Sequence, residues 1–122
     1  MKNIGSRTVV CLFTCLAWSQ ALAHAHLKKA APAPDSIVAA SPEAIQIEFS
    51  EKVEPALSVI DIVGPSGPVA VSGKTTVDPS SPNTLIVRPA QPLPPGSYEA
   101  RWRAVGADSH SVKGAFKFQV RP

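Results

Sequence analysis

Sulfur is nearly missing from this chain. Its 122 residues include two cysteines and one methionine. Cys11 and Cys15 sit together in one short apolar run near the N-terminus, and from residue 24 onward there is neither cysteine nor methionine. That excludes a disulfide framework, a thiol nucleophile and a cysteine-type zinc site from residues 24–122. A soft ion such as Cu(I) also finds no thiolate or thioether there. Long hydrophobic runs are absent too. The apolar stretch from Val9 to Trp18 holds about ten residues, against the roughly 20 needed to span a bilayer. No strong excess of one charge is present, so nothing gives the broad basic footprint of a nucleic-acid binder.

The first 23 residues read as a secretory signal peptide. Lys2 and Arg7 form a basic start, Val9 to Trp18 an apolar centre, and Ala21-Leu22-Ala23 a small-x-small cleavage site. Cys11 and Cys15 lie inside the apolar centre, which argues against a lipoprotein. Removing 23 of the 122 residues leaves 99. Ten of the 12 Lys and Arg then face all 9 Asp and Glu, a net charge near +1. The expected product, residues 24–122, is one exported, soluble domain, large enough to bury roughly 60–70% of its unfolded surface. The expected location is the periplasm, and the chain is read as a monomer that is not membrane-embedded.

That domain reads as all-β. Ile45, Ile47 and Phe49 alternate with Gln46 and Glu48, as in a half-buried strand. Leu57 to Val63, Val69 to Val71, Lys74 to Val77 and Leu85 to Val87 suggest further short strands. Tyr98, Ala100, Trp102 and Ala104 alternate with Glu99, Arg101 and Arg103, and Phe116, Phe118 and Val120 with Lys117 and Gln119. A first strand near Leu27 to Ala31 is also expected. All 13 prolines fall in residues 24–122, mostly between these runs, and they argue against long helices. About seven strands at this spacing predict an immunoglobulin-like β-sandwich. The aromatic residues Phe49, Tyr98, Trp102, Phe116 and Phe118 occupy its expected inward positions.

Histidine occurs at two places, the start of the exported chain and one loop. Cleavage after Ala23 makes His24 the first residue; cleavage after Ala25 makes it His26. A leading histidine offers its α-amine and its imidazole, with ordinary pKa values near ~8 and ~6.5, so both can lose a proton to a metal at neutral pH. His110 lies in Gly106-Ala107-Asp108-Ser109-His110-Ser111, between the two clearest strands. Asp108 and His110 are two apart, and in an extended segment they would project to one side. Taken singly, each feature has an ordinary explanation. Signal cleavage must leave some residue first, and Asp-Ser starts many turns. Together, two nitrogens from His24, one from His110 and an oxygen from Asp108 form a tetragonal N,O set that suits Cu(II).

From His24 onward the sequence resembles the small periplasmic copper-binding proteins of the CopC family. The resemblance covers the whole of residues 24–122. It rests on His24, on Leu27-Lys28 leading to Pro32, on Ile47-Glu48-Phe49-Ser50-Glu51 and on Pro92-Leu93-Pro94-Pro95-Gly96-Ser97-Tyr98. The most specific stretch runs from Trp102-Arg103-Ala104-Val105 through Asp108-Ser109-His110-Ser111-Val112-Lys113-Gly114. The resemblance implies a cupredoxin-like Greek-key β-sandwich and one Cu(II) per chain, held by His24, Asp108 and His110. It also implies Glu51 as an outer residue holding the amine or a water, and a CopD-type inner-membrane protein as partner. His26 is an outer ligand or a neighbour. Relatives that bind both copper states carry a methionine-rich loop; the matching residues 61–72 contain none, which implies a Cu(II)-only member.

The expected function is non-catalytic: sequestering periplasmic copper or passing it on, in copper homeostasis or resistance. Two other functions compete. One is a small histidine-brace copper monooxygenase, but a short chain with core aromatics offers no flat substrate face, and Asp108 would occupy a position that oxygen needs. The other is a metal-free immunoglobulin-like interaction module with incidental histidines.

Overall fold

A computed structural model of the chain describes residues 25–122 and Gly5. His24 and, Gly5 apart, the expected signal segment 1–23 lie outside the described residues.

The described chain folds as a two-sheet β-sandwich. β1 (Leu27–Ala31), β3 (Ile45–Phe49), β7 (Ser81–Val87) and β6 (Thr76–Asp78) form one sheet in the order β1-β3-β7-β6. The other runs β2-β9-β8-β4-β5, from β2 (Ser36–Val38), β9 (Ser111–Val120), β8 (Gly96–Val105), β4 (Val59–Gly64) and β5 (Gly67–Pro68). Pairing is antiparallel except between β2 and β9.

Period-two burial builds the core. β3 contributes Ile45, Ile47 and Phe49; β4 contributes Ile60 and Ile62; β7 contributes Leu85 and Val87. β8 adds Tyr98, Ala100 and Ala104, and β9 adds Phe116, Phe118 and Val120. The five aromatics are all in or against this core, as the alternation predicts. Phe49 meets Trp102 edge-on at 5.1 Å between centroids, and Tyr98 stacks on Phe118 at 5.6 Å. Such pairs add about 0.5–1.5 kcal/mol beyond area burial. The Tyr98 hydroxyl donates to the Pro94 carbonyl at 2.5 Å, so its polar end is satisfied inside the sandwich.

Nine strands form where about seven are expected, and the differences have physical causes. β2 is three residues long with Ile37 exposed, so it carries no alternation to read. Leu57 lies in a 3₁₀ turn, Pro55–Leu57, and is exposed. Pro55 has a fixed φ and no N–H to give a ladder, so the strand begins only at Val59. The expected strand at Val69 to Val71 is replaced by β5 at Gly67–Pro68 and an isolated bridge from Val71 to Pro89. β9 starts at Ser111, five residues before its first buried aromatic, because Ser111, Lys113 and Ala115 all face outward. Val112 and Gly114 on the inner face are only half-buried, so pairing with β8, more than burial, makes that half of β9 a strand.

Across that pairing Trp102 stands opposite Gly114. The indole lies directly over the glycine: a Cβ there would overlap Trp102 Cζ2 and sit 2.6 Å from Cε2. Gly114→Ala is therefore expected to destabilise the fold by about 1–3 kcal/mol, the usual cost of overpacking. A lowered urea midpoint with an unchanged slope would show it; an unchanged midpoint would mean that the indole repacks freely.

Candidate metal centre

The β8–β9 hairpin ends in a three-residue loop. Val105 pairs with Ser111, the Gly106 N–H donates to the His110 carbonyl at 3.1 Å, and the Ser109 N–H donates to the Gly106 carbonyl at 3.0 Å. Ser109 has φ of 67°, the left-handed position that closes hairpins of this length. Asp108 and His110 thus flank a left-handed residue. Their meeting comes from this turn, and not from the extended i, i+2 geometry expected from the sequence.

The two side chains are engaged directly. Asp108 Oδ2 lies 3.0 Å from His110 Nδ1, and Asp108 Oδ1 accepts the His110 backbone N–H at 3.1 Å. A carboxylate on Nδ1 favours the tautomer with the proton there, which makes Nε2 the ring's acceptor nitrogen. Both residues remain open to solvent, His110 at 56% and Asp108 at 37% side-chain exposure.

Beside the loop three chain segments converge on Gly106. A Cβ at Gly106 would lie 3.1 Å from Asp108 Oδ1, 3.4 Å from Glu51 Oε1 and 3.9 Å from the Ala25 methyl. Ala25 is 3% exposed, so the start of the described chain is packed into the sandwich at this point. Glu51 Oε1 is buried with no hydrogen-bond partner among the described residues. A buried carboxylate oxygen without a donor is costly, and here it points into the space shared by Asp108 and Ala25.

The frame below is tied by the segment after Glu51. Val53 bridges to Gly106. The Glu54 N–H donates to the Val105 carbonyl at 2.8 Å, and the Val105 N–H donates to the buried Ser58 hydroxyl at 3.0 Å. Asn83 Nδ2 donates to the Phe49 carbonyl at 3.0 Å, which holds the end of β3. The chain start is clipped to Ser50: the His26 N–H donates to Ser50 Oγ at 2.9 Å and the Ser50 N–H donates to the His26 carbonyl at 2.8 Å.

The structure therefore brings Asp108, with its partner His110, and Glu51 together around Gly106. The exposed His26 is tied by its backbone to Ser50, and among the described residues its ring makes no hydrogen bond or ion pair. His24 lies outside the described residues. Among the described residues no three His, Cys, Asp or Glu side chains form a metal-holding group. The donors present, one imidazole and a carboxylate with a second close by, are the borderline and hard types that suit Cu(II), and the orphaned Glu51 oxygen fits an additional donor arriving from the chain start. Sequence reasoning missed Ala25, Gly106 and Ser58. Small residues at a close approach and a serine under a strand end carry no metal-ligand signal.

Comparison with known proteins bears on the family and the fold. The CopC domain family matches residues 27–121. Copper resistance protein C of Escherichia coli is 37% identical over 108 residues, covering 83% of this chain and 84% of that protein. The crystal structure of CopC from Methylosinus trichosporium OB3b superposes with a TM-score of 0.74 at 33% identity, covering 81% of this chain and 95% of that one. PcoC from Escherichia coli, described as a methionine-rich copper resistance protein, gives a TM-score of 0.73 at 37% identity over 81% of this chain and all of that one. The fold is a Greek-key sandwich, and the chain belongs to the CopC family.

Ser109 offers a direct check on the loop. A β-branched residue tolerates positive φ poorly, so Ser109→Val is expected to cost about 1–3 kcal/mol while Ser109→Gly folds at least as stably as the parent. Equal urea midpoints for the two variants would show that the left-handed turn is not required.

Proposed function

We propose that the exported chain, residues 24–122, binds one Cu(II) ion in the periplasm and sequesters it or hands it to a CopD-type inner-membrane protein, without catalysis. The observation that carries this reading is the grip of Asp108 on His110 Nδ1, made within a few ångströms of a buried, unpartnered Glu51 oxygen and of Ala25. Ala25 is one residue from His24, and consecutive Cα atoms are only about 3.8 Å apart. Removal of residues 1–23 would give His24 a free α-amine at that place. His24 then supplies amine and imidazole nitrogens, His110 an imidazole nitrogen, and Asp108 a carboxylate oxygen released from the His110 Nδ1 contact that keeps the two side chains together before the ion arrives. Glu51 Oε1 accepts from the amine or from a water and acts through it. His26, clipped to Ser50 by its backbone, stays a neighbour.

Oxidation-state preference follows from the donors. Residues 24–122 contain no sulfur, in contrast to the methionine-rich relative, so a hard N,O set favours Cu(II) and offers Cu(I) no soft ligand. The inward placement of all five aromatics disfavours the monooxygenase alternative, which needs an exposed surface for a polymeric substrate.

Titration of the protein beginning at His24, followed by spin resonance, is expected to saturate at one Cu(II) per chain. His110→Ala should abolish tight binding, and Asp108→Ala should weaken it about 10–100-fold, as loss of an orienting carboxylate does. A Gly-Ser extension before His24 should also abolish it. Copper at about 100 times the dissociation constant should stabilise the fold by roughly 2.7 kcal/mol. Full binding by His110→Ala, or no stabilisation of the parent, would overturn the assignment.

A further inference from the structure

Two residues of the most specific motif have no part in the copper site. Arg103 and Lys113 stand directly opposite one another on β8 and β9, both exposed and both on the outer face of the five-stranded sheet. Directly opposed side chains have Cβ atoms about 4.5–5.5 Å apart, where like charges are destabilising. Elsewhere on this face charges are matched. Glu99 stands opposite Lys117, Asp61 stands opposite Arg101, and Arg101 Nε bonds Glu99 Oε1 at 2.5 Å. The strand position on the other side of Arg103 is Val59, and β2 reaches only Phe118 to Val120, so Lys113 has no strand beyond it. Among the described residues neither cation makes an ion pair.

The pair also has a particular address. Only the rungs Ala104–Val112 and Val105–Ser111 separate it from the loop that carries Asp108 and His110, about 7 Å of strand. We infer that Arg103 and Lys113 form a docking site for an acidic segment of a partner protein, held beside the loop where copper would be exchanged. The Arg103 guanidinium offers a planar fork to one carboxylate and Lys113 a point charge to a second. Binding would remove the repulsion between the two cations. An anionic membrane is a poorer match. Attachment to lipid takes clusters of roughly 4–8 Lys or Arg at about 1 kcal/mol each, whereas this face also carries Glu99 and Asp61. The inference uses the copper-binding proposal for its purpose, while the charge geometry stands without it.

The test uses the protein beginning at His24 and a fluorescent peptide of about ten alternating Asp and Glu residues, followed by polarisation at about 20 mM salt. The comparison is Arg103→Gln/Lys113→Gln against Lys28→Gln/Lys29→Gln, whose lysines both lie near Glu48. Loss of two exposed ion pairs is expected to weaken peptide binding about tenfold. The control should change it less than twofold, and both variants should still take one Cu(II). Failure of the parent to bind the peptide, or equal losses in the two variants, would overturn the docking site. So would capture by phosphatidylglycerol vesicles through Arg103 and Lys113 with no peptide binding. If the Arg103/Lys113 variant alone loses copper, the pair serves the metal and the docking site is overturned. If no form binds copper but the peptide still discriminates, the copper assignment falls and the docking site stands.

Discussion

Ten consecutive rungs join β8 to β9, from Gly96–Val120 at one end to Val105–Ser111 at the other. Side chains alternate between faces along such a ladder, so a slip of one residue would exchange the two faces completely. The observed register sends Tyr98, Ala100, Ala104, Phe116, Phe118 and Val120 inward and places Trp102 over Gly114. The same register sends Arg101, Arg103, Lys113 and Lys117 outward. It also fixes the length of the closing loop, because only three residues remain between the last hydrogen-bonded positions, Gly106 and His110. Core, charged face and candidate metal loop are consequences of one pairing.

The loop alone would make a poor site. Under the copper-binding proposal, what completes it is the close approach of the chain start, and that approach depends on small residues. Ala25 is buried beside Gly106, where a Cβ would crowd Asp108 Oδ1 at 3.1 Å and touch Glu51 Oε1 at 3.4 Å. Several hydrogen bonds with no catalytic or ligand chemistry hold these segments together: His26 with Ser50, Glu54 with Val105, Ser58 with Val105, and Asn83 with Phe49. They join the ends of β1, β3, β7 and β8 and the segment after β3, and the Ser58–Val105 bond among them is itself buried.

This division explains what the sequence could and could not reveal. The strands that bury large alternating side chains, such as Ile45–Phe49 and the Tyr98 end of β8, announce themselves through period two. Strands that bury little, such as Ser36–Val38 and the first half of β9, do not. Asp108 and His110 were legible as a pair, because few residue types bind metals and the family motif is specific. The reason for their meeting was not legible. A left-handed serine in a hairpin turn looks like any Asp-Ser sequence until the pairing on either side is known. Glu51 was legible through the motif Phe-Ser-Glu, whereas its buried and unpartnered oxygen is a property of the packing around Gly106.

Exposure at the rim bears on how such a site would work. His110 and Asp108 remain substantially open to solvent, although one is oriented by the other and both rest on a rigid hairpin. A deeply buried centre must open before its metal can leave. A half-exposed one can exchange ligands by the approach of a competing donor, with the protein frame unmoved. Under the copper-binding proposal, the rate of hand-over would then depend on how a partner is brought to the rim and held there. The unmatched Arg103 and Lys113 lie two rungs from the loop, on the rigid ladder that also positions His110. Placement on a shared rigid element converts a weak, salt-sensitive attraction into a defined orientation, because charge contacts contribute more to encounter and register than to affinity. A transient partner for an exchangeable ion needs orientation more than tight binding, since a complex that never separates would deliver its copper only once.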